Sequence, residues 1–321
     1  MKRDVPKLQK PPALRKGSRL GVVFPSSPGD AAGINAGVAE LRRLGFQVEE
    51  PAQMESVGYF AATHSERLKQ FCDTVHDKHT DGVIAARGGY GANYLIDARL
   101  STRLQGPKCM VGFSDFNIIQ LLMAGVRDWA GFYGPMVANG LNHGANQPSG
   151  YEPASFLQAV CETKSKWAIP LHGQALASGT ASGHLAGGCL TMIQTTLGTG
   201  FSPNTNGAIL VLEDRAMKPY QVDRALRHLY QAGMFEKVAG VILGDFPDCD
   251  PPSSGSPIVP EICAEILDPL KVPVVYGAPI GHTKRPMLTI PLGVRAKLIA
   301  KGEGTLEILE PAVVDYQQHG L

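Results

Sequence analysis

Lys108-Cys109-Met110-Val111-Gly112-Phe113-Ser114-Asp115-Phe116-Asn117-Ile118-Ile119-Gln120-Leu121-Leu122 carries a short apolar strand into a helix through a turn that holds a lone serine. A hydroxyl at a sharp strand-to-helix turn is lifted clear of the backbone. It also stands at the positive end of the helix, where N–H groups point outward. That is the arrangement of a nucleophile elbow, with Phe116 where the pattern has its last glycine. The simpler reading has Ser114 or Asp115 capping the helix, a common duty for both residue types. Either way, a buried strand feeding a helix belongs to a parallel α/β sheet, whose ligands bind at the carboxyl ends of the strands.

The same rhythm runs upstream. Leu20–Phe24 reads as a buried strand and Pro25–Gly29 as a loop, followed by Ile34, Val38, Leu41 and Leu44 at helical spacing. Thr63 and Glu66 have the spacing of a capping box. Gly82–Ala86 is a second buried strand, followed by the glycine-rich Arg87-Gly88-Gly89-Tyr90-Gly91. The expectation is an α/β domain over residues 20–140, a doubly wound, mostly parallel sheet. The Pro25 loop, the Gly88 loop and Ser114 then meet at one sheet edge. Residues 141–182 are poorer in apolar runs and read as a linker. Residues 183–321 hold strands at Ala208–Leu212 and Val238–Leu243, a helix near Tyr220–Ala232, and shorter strands near Val274, Leu288 and Lys297. They predict a mixed α+β domain. Residues 1–19, locally basic and broken by prolines, read as a solvated arm.

Composition sets limits. A net charge of +1 over 321 residues argues against nucleic acid as the main partner. No apolar run reaches the length of a membrane span. The cysteines at 72, 109, 161, 189, 249 and 263 form no C-x-x-C pair and no zinc-ligand spacing, so free buried thiols and a cytoplasmic location are expected. No cofactor and no metal is expected.

Three further segments carry chemistry. The Gly88 loop exposes backbone N–H groups that suit a phosphate or an oxyanion, but no lysine completes a P-loop, and a tight turn is an equal reading. Leu210-Val211-Leu212-Glu213-Asp214 ends a strand with two carboxylates, one of which can cap a helix while the other orients a histidine. His282 follows a strand and a Gly-Ala-Pro turn, and His184 occupies a similar loop. Residue chemistry alone leaves these two histidines open.

Taken together the segments resemble the LD-carboxypeptidase family of serine peptidases, which includes muramoyltetrapeptide carboxypeptidases and microcin C self-immunity proteins. The resemblance rests on Gly82 to Asp97, Val111–Asp115, Gly187–Thr191, Leu212–Asp214 with Pro219–Arg224, and Pro279–Thr283 with Ile290–Gly293, in matching order from about Leu20 to Ile299. It implies a triad of Ser114, His282 and Glu213, with backbone N–H groups of Gly89 and Asp115 as oxyanion hole. It also implies a cytoplasmic homodimer without metal that takes a small murein peptide. The implied reaction removes a terminal D-alanine from the tetrapeptide by cutting after an L-centre, in cell-wall recycling. Tyr133 stands where many members have histidine, Ala216 where many have glutamate, and Lys284-Arg285 adds unusual positive charge. Arg87, Lys284 and Arg285 are the candidates for reading a terminal carboxylate. One alternative keeps the triad but cleaves an aminoacyl-nucleotide conjugate. Another, of a different class, is a non-catalytic small-ligand-binding module.

Overall fold

The computed structural model describes residues 8–315 apart from 52, 53, 97–99, 101–103, 105, 165, 252 and 254. Its first sheet has five parallel strands: β1 (Arg19–Val23), β2 (Gln47–Val48), β3 (Gly82–Ala85), β4 (Cys109–Gly112) and β5 (Gly131–Tyr133). They lie in the order 2-1-3-4-5 of a doubly wound sheet, so the strand order reverses at β1 and β3. Every residue of β3 and β4 is buried, which is why both read as unbroken apolar runs. Helices α1 (Ala31–Arg43), α2 (His64–His76) and α3 (Asn117–Arg127) make crossovers. Asp30 caps α1 through the Gly33 N–H at 2.7 Å, and Thr63 and Glu66 form the expected capping box on α2.

After α4 (Pro153–Cys161) come β6 (Trp167–Pro170), β7 (Gln174–Ala177) and β8 (Gly179–Cys189), then α5 (Leu190–Thr196), β9 (Ala208–Glu213), α6 (Pro219–Gln231), β10 (Gly240–Gly244), α7 (Val259–Leu267), β11 (Val274–Ala278), β12 (Ile290–Leu292), β13 (Arg295–Ala300) and β14 (Thr305–Ile308). Eight of these strands form the second sheet, in the order β6-β14-β13-β8-β9-β10-β11-β7. Its centre, β8 to β11, is parallel, and antiparallel strands finish both sides. On α6, Val222, Ala225, Leu226 and Leu229 recur along one face and are buried.

Three sequence expectations change here. The stretch 141–182 is not only a linker, because β6 and β7 form the two edges of the second sheet. One face of β6 meets solvent, so it alternates buried and exposed residues and shows no apolar run. The strand expected near Leu288 forms at Ile290–Leu292, and β12 pairs antiparallel with β5 in the first sheet, covering its last edge with a segment from the other half of the chain. The basic arm does not hang free where it is described, although Arg15, Lys16 and Arg19 are exposed. Gln9 exchanges backbone hydrogen bonds with Asp128 and Ala130, Ala13 pairs with Val314, and Leu14 is buried. Residues 1–7 lie outside the described residues. Among the described residues, no helix is long and apolar enough to cross a membrane.

Candidate active site

From Cys109 to Met123 every residue is buried except Ser114. The serine has φ +59°, a left-handed conformation that costs a non-glycine residue on the order of 1 kcal/mol or more. It opens a single 3-10 turn, Ser114–Phe116, that runs into α3. Neither Ser114 nor Asp115 caps that helix, which has no side-chain cap. The carboxylate of Asp115 instead accepts the Ala92 N–H at 2.7 Å, and burial pushes its carboxyl above the usual aspartate range. The strain at Ser114 therefore goes into presenting its hydroxyl, as in an elbow.

The glycine loop passes directly over this serine. A Cβ on Gly88 would lie 2.9 Å from both Cβ and Oγ of Ser114, so a side chain there would displace the hydroxyl. The loop is tied down on either side. Ser27 donates its N–H to Gly88 O at 3.3 Å, and its Oγ accepts the Tyr90 N–H at 3.1 Å. Fully buried Arg67 donates to the carbonyls of Pro25 and Gly91. The N–H of Gly89 has no partner among the described residues. Asp115 lies in the first turn, where an N–H has no intrahelical acceptor.

Glu213 ends β9, a strand buried along its whole length. Its Oε2 accepts the backbone N–H of His282 at 2.9 Å and the ring Nδ1–H at the same distance. Its Oε1 accepts a short hydrogen bond from the hydroxyl of Tyr133, which is fully buried at the end of β5. Gly281, at φ +62°, packs against the carboxyl so closely that any Cβ would overlap it. The His282 ring meets Phe113 edge-on at 5.0 Å between centroids. Burial alone would lower the His282 pKa, but the charge and hydrogen bond of Glu213 outweigh it and hold the imidazole above its ordinary value. His184 is elsewhere. It sits on β8 opposite Ala208, at the far end of β9, and its Nε2 bonds Asn204 O at 2.9 Å. The histidine on the carboxylate is thus His282.

Asp214 does not cap α6 either. Its Oδ2 accepts the N–H and hydroxyl of Thr191 at 2.9 and 2.6 Å, holding the start of α5. Nearby, Asn117 accepts the Cys189 N–H at 3.1 Å and donates to Gly187 O at 3.4 Å, so the serine turn is clasped to the β8–α5 junction. Asn117 is not among the candidates expected from sequence, although a signal is present. Asn117 and Gln120 are the two polar residues in the otherwise apolar run Phe116–Met123. Both are buried and fully engaged.

Burial pushes the Tyr133 phenol well up, and the neighbouring Glu213 charge adds to this, so the hydroxyl stays protonated and donates. Tyr133 pairs with Gly112 on the neighbouring strand and reaches Glu213 in the second sheet, so it stands between the two halves of the site. Tyr133→Phe is expected to lower kcat by about tenfold with little change in KM, because a hydrogen bond to a charged group contributes about 1.5–3 kcal/mol. Steady-state kinetics at an unchanged melting midpoint would check this.

The three carboxylate-reading candidates separate. Arg285 donates to both oxygens of Asp245 and to the carbonyls of Gly277 and His172, so it is committed to bracing its own loop. Exposed Arg87 donates to Pro28 O at 2.8 Å. Lys284 lines a cavity of about 230 Å³ beside His282 and Phe113, with Arg215 and Asp248 on the same wall. A larger hollow of about 660 Å³ opens between β1, β2 and α2, and none of the site residues lines it.

Comparison with known proteins agrees with this architecture. The LD-carboxypeptidase N-terminal domain matches residues 20–134, and the LD-carboxypeptidase C-terminal domain matches residues 182–298. A probable murein peptide carboxypeptidase of Bacillus subtilis is 30% identical over 295 residues, covering 90% of this chain and 91% of the relative. The microcin C7 self-immunity protein MccF of Escherichia coli is 28% identical over 321 residues, covering 88% and 90%. The crystal structure of a muramoyltetrapeptide carboxypeptidase from Oxalobacter formigenes superposes with a TM-score of 0.78 at 27% identity, covering 92% of this chain and 99% of the other. The fold and its matches define a peptidase of the serine type. The chain belongs to the LD-carboxypeptidase family and is a carboxypeptidase.

Proposed function

We propose that the protein removes the terminal D-alanine from a murein tetrapeptide, with Ser114 as nucleophile, His282 as general base and Glu213 as its orienter. The observation that carries this reading is the Glu213–His282 pair at 2.9 Å, its carboxylate fully buried, in a chain whose strained, partly exposed serine sits at a strand-to-helix elbow. A serine hydroxyl is a weak nucleophile near neutral pH, so an imidazole must take its proton. Glu213, accepting from Nδ1, fixes the tautomer that leaves Nε2 free to do so and stabilises the imidazolium. Attack on the scissile carbonyl places negative charge on its oxygen, and the N–H groups of Gly89 and Asp115 suit that charge. His282 then protonates the departing amine, and water repeats the sequence on the acyl-enzyme. The reading includes a cytoplasmic homodimer that acts in cell-wall recycling.

The aminoacyl-nucleotide alternative needs an aromatic face for the base. Trp129 and Trp167 are both buried and offer none. The test is incubation with murein tetrapeptide and, separately, with an aminoacyl-adenylate analogue, followed by mass spectrometry. The expected products are the tripeptide and free D-alanine. Cleavage of the conjugate alone would overturn the assignment of substrate.

A further inference from the structure

Beside His282 the chain builds a cationic wall that the catalytic chemistry does not use. Arg215 lies just after Glu213 in the loop leaving β9. Asp248 lies in the loop leaving β10, and Lys284 two residues past His282. All three line the cavity of about 230 Å³ that also contains His282. Asp248 divides its carboxylate between the two cations, with Oδ1 2.7 Å from Lys284 Nζ and Oδ2 3.3 Å from Arg215 Nη2. The hydrogen bond with Lys284, with its charge and that of Arg215 adding, holds the Asp248 carboxyl below its usual range.

The backbone keeps this arrangement in place. Ala216 donates its N–H to Pro247 O at 3.0 Å, joining the two loops, and the Lys284 carbonyl accepts the Ser149 N–H at 2.9 Å. Ala216 and Asp248 both have left-handed backbones, at φ +53° and +59°, which turn the loops back on themselves. Lys284 and Arg215 keep N–H donors beyond those given to Asp248, and an anion placed against them gains charge-assisted hydrogen bonds.

We infer that Arg215 and Lys284, spaced by Asp248, bind the free terminal carboxylate of the substrate and so make the enzyme an exopeptidase. The inference rests on the proposed function. The base that protonates the leaving amine must stand beside that nitrogen. In a terminal amino acid the carboxylate is only two bonds from the nitrogen, so its reader must lie close to His282, on the leaving-group side. Lys284 meets that condition by chain position and Arg215 by sharing the cavity wall. Arg285 fails it because four of its five N–H donors are spent on Asp245, Gly277 and His172. The contact is present before and during reaction, so its loss falls mainly on KM.

The test compares Arg215→Ala, Lys284→Met and the double variant with the wild type, using murein tetrapeptide as the free acid and as its C-terminal amide. The readout is the ratio of kcat/KM for acid over amide, with melting midpoints as a fold control. The wild type is expected to prefer the acid, each single variant to raise KM for the acid about tenfold, and the double variant to lose the preference. Arg215→Lys, which keeps the charge, should recover most of it. If the wild type cuts the acid and the double variant keeps the full preference, this assignment falls while the functional reading stands. If the wild type releases neither D-alanine from the acid nor D-alaninamide from the amide, the functional reading falls and takes the assignment with it.

Discussion

Ser114→Ala is expected to reduce D-alanine release by about 10⁴-fold or more, at unchanged secondary structure and melting midpoint. The size follows from the way a nucleophile, base and orienter act together. Without the hydroxyl no acyl-enzyme forms, and only binding and oxyanion stabilisation remain. The fold should be indifferent, because Ser114 is the one partly exposed residue in a buried run and caps no helix. Relief of its left-handed strain is not expected, since alanine meets the same steric limits at φ +59°. Retention of more than about a tenth of wild-type turnover would remove Ser114 from the mechanism.

Glu213→Gln is the second large effect, with kcat falling by about 10⁴-fold. The amide keeps the size of the side chain and still accepts from Tyr133, so packing is preserved. It loses the charge that stabilises the imidazolium and the acceptor that fixes the ring tautomer. This variant also carries a sign. In the wild type, burial works to lower the His282 pKa and Glu213 reverses that, so the group stands above its ordinary value. The base acts when neutral, so activity is expected to fall as pH drops through that raised pKa. With the charge removed, burial is opposed by less, and the acid limb of the kcat/KM profile should move to lower pH. A limb that stays in place or moves up would mean that another group titrates there.

How far the sequence could be read depended on the range of the interaction. Buried parallel strands such as Gly82–Ala85 announce themselves as apolar runs, and local caps such as Thr63 with Glu66 are fixed by spacing. Both are short-range patterns. The antiparallel visit of Ile290–Leu292 to the first sheet is a pairing over more than 150 residues, and no local periodicity encodes it. The strands within 167–177 were hidden for another reason, since Trp167–Pro170 alternates buried with exposed residues and no residue of Gln174–Ala177 is buried. In the site, Ser114, Glu213 and His282 each sit at the end of a strand or just beyond a turn, which made them visible one at a time. Their grouping entered through resemblance in motif order, and the Glu213–His282 contact then separated His282 from His184. Tyr133, Arg67 and Asn117 act through buried hydrogen bonds to partners distant in sequence. Nothing in their immediate neighbours specifies those partners. Arg215 meets Asp248 only because the loops after β9 and β10 come together, a pairing that no local pattern specifies.

The most direct measurement is a crystal structure of the Ser114→Ala protein with uncleaved murein tetrapeptide bound. The scissile carbonyl carbon is expected about 3–3.5 Å from the position of the missing hydroxyl. The carbonyl oxygen is expected about 3 Å from the N–H groups of Gly89 and Asp115, with the leaving nitrogen facing His282. A peptide seated elsewhere, or with its scissile carbonyl turned away from those two N–H groups, would contradict the proposed mechanism.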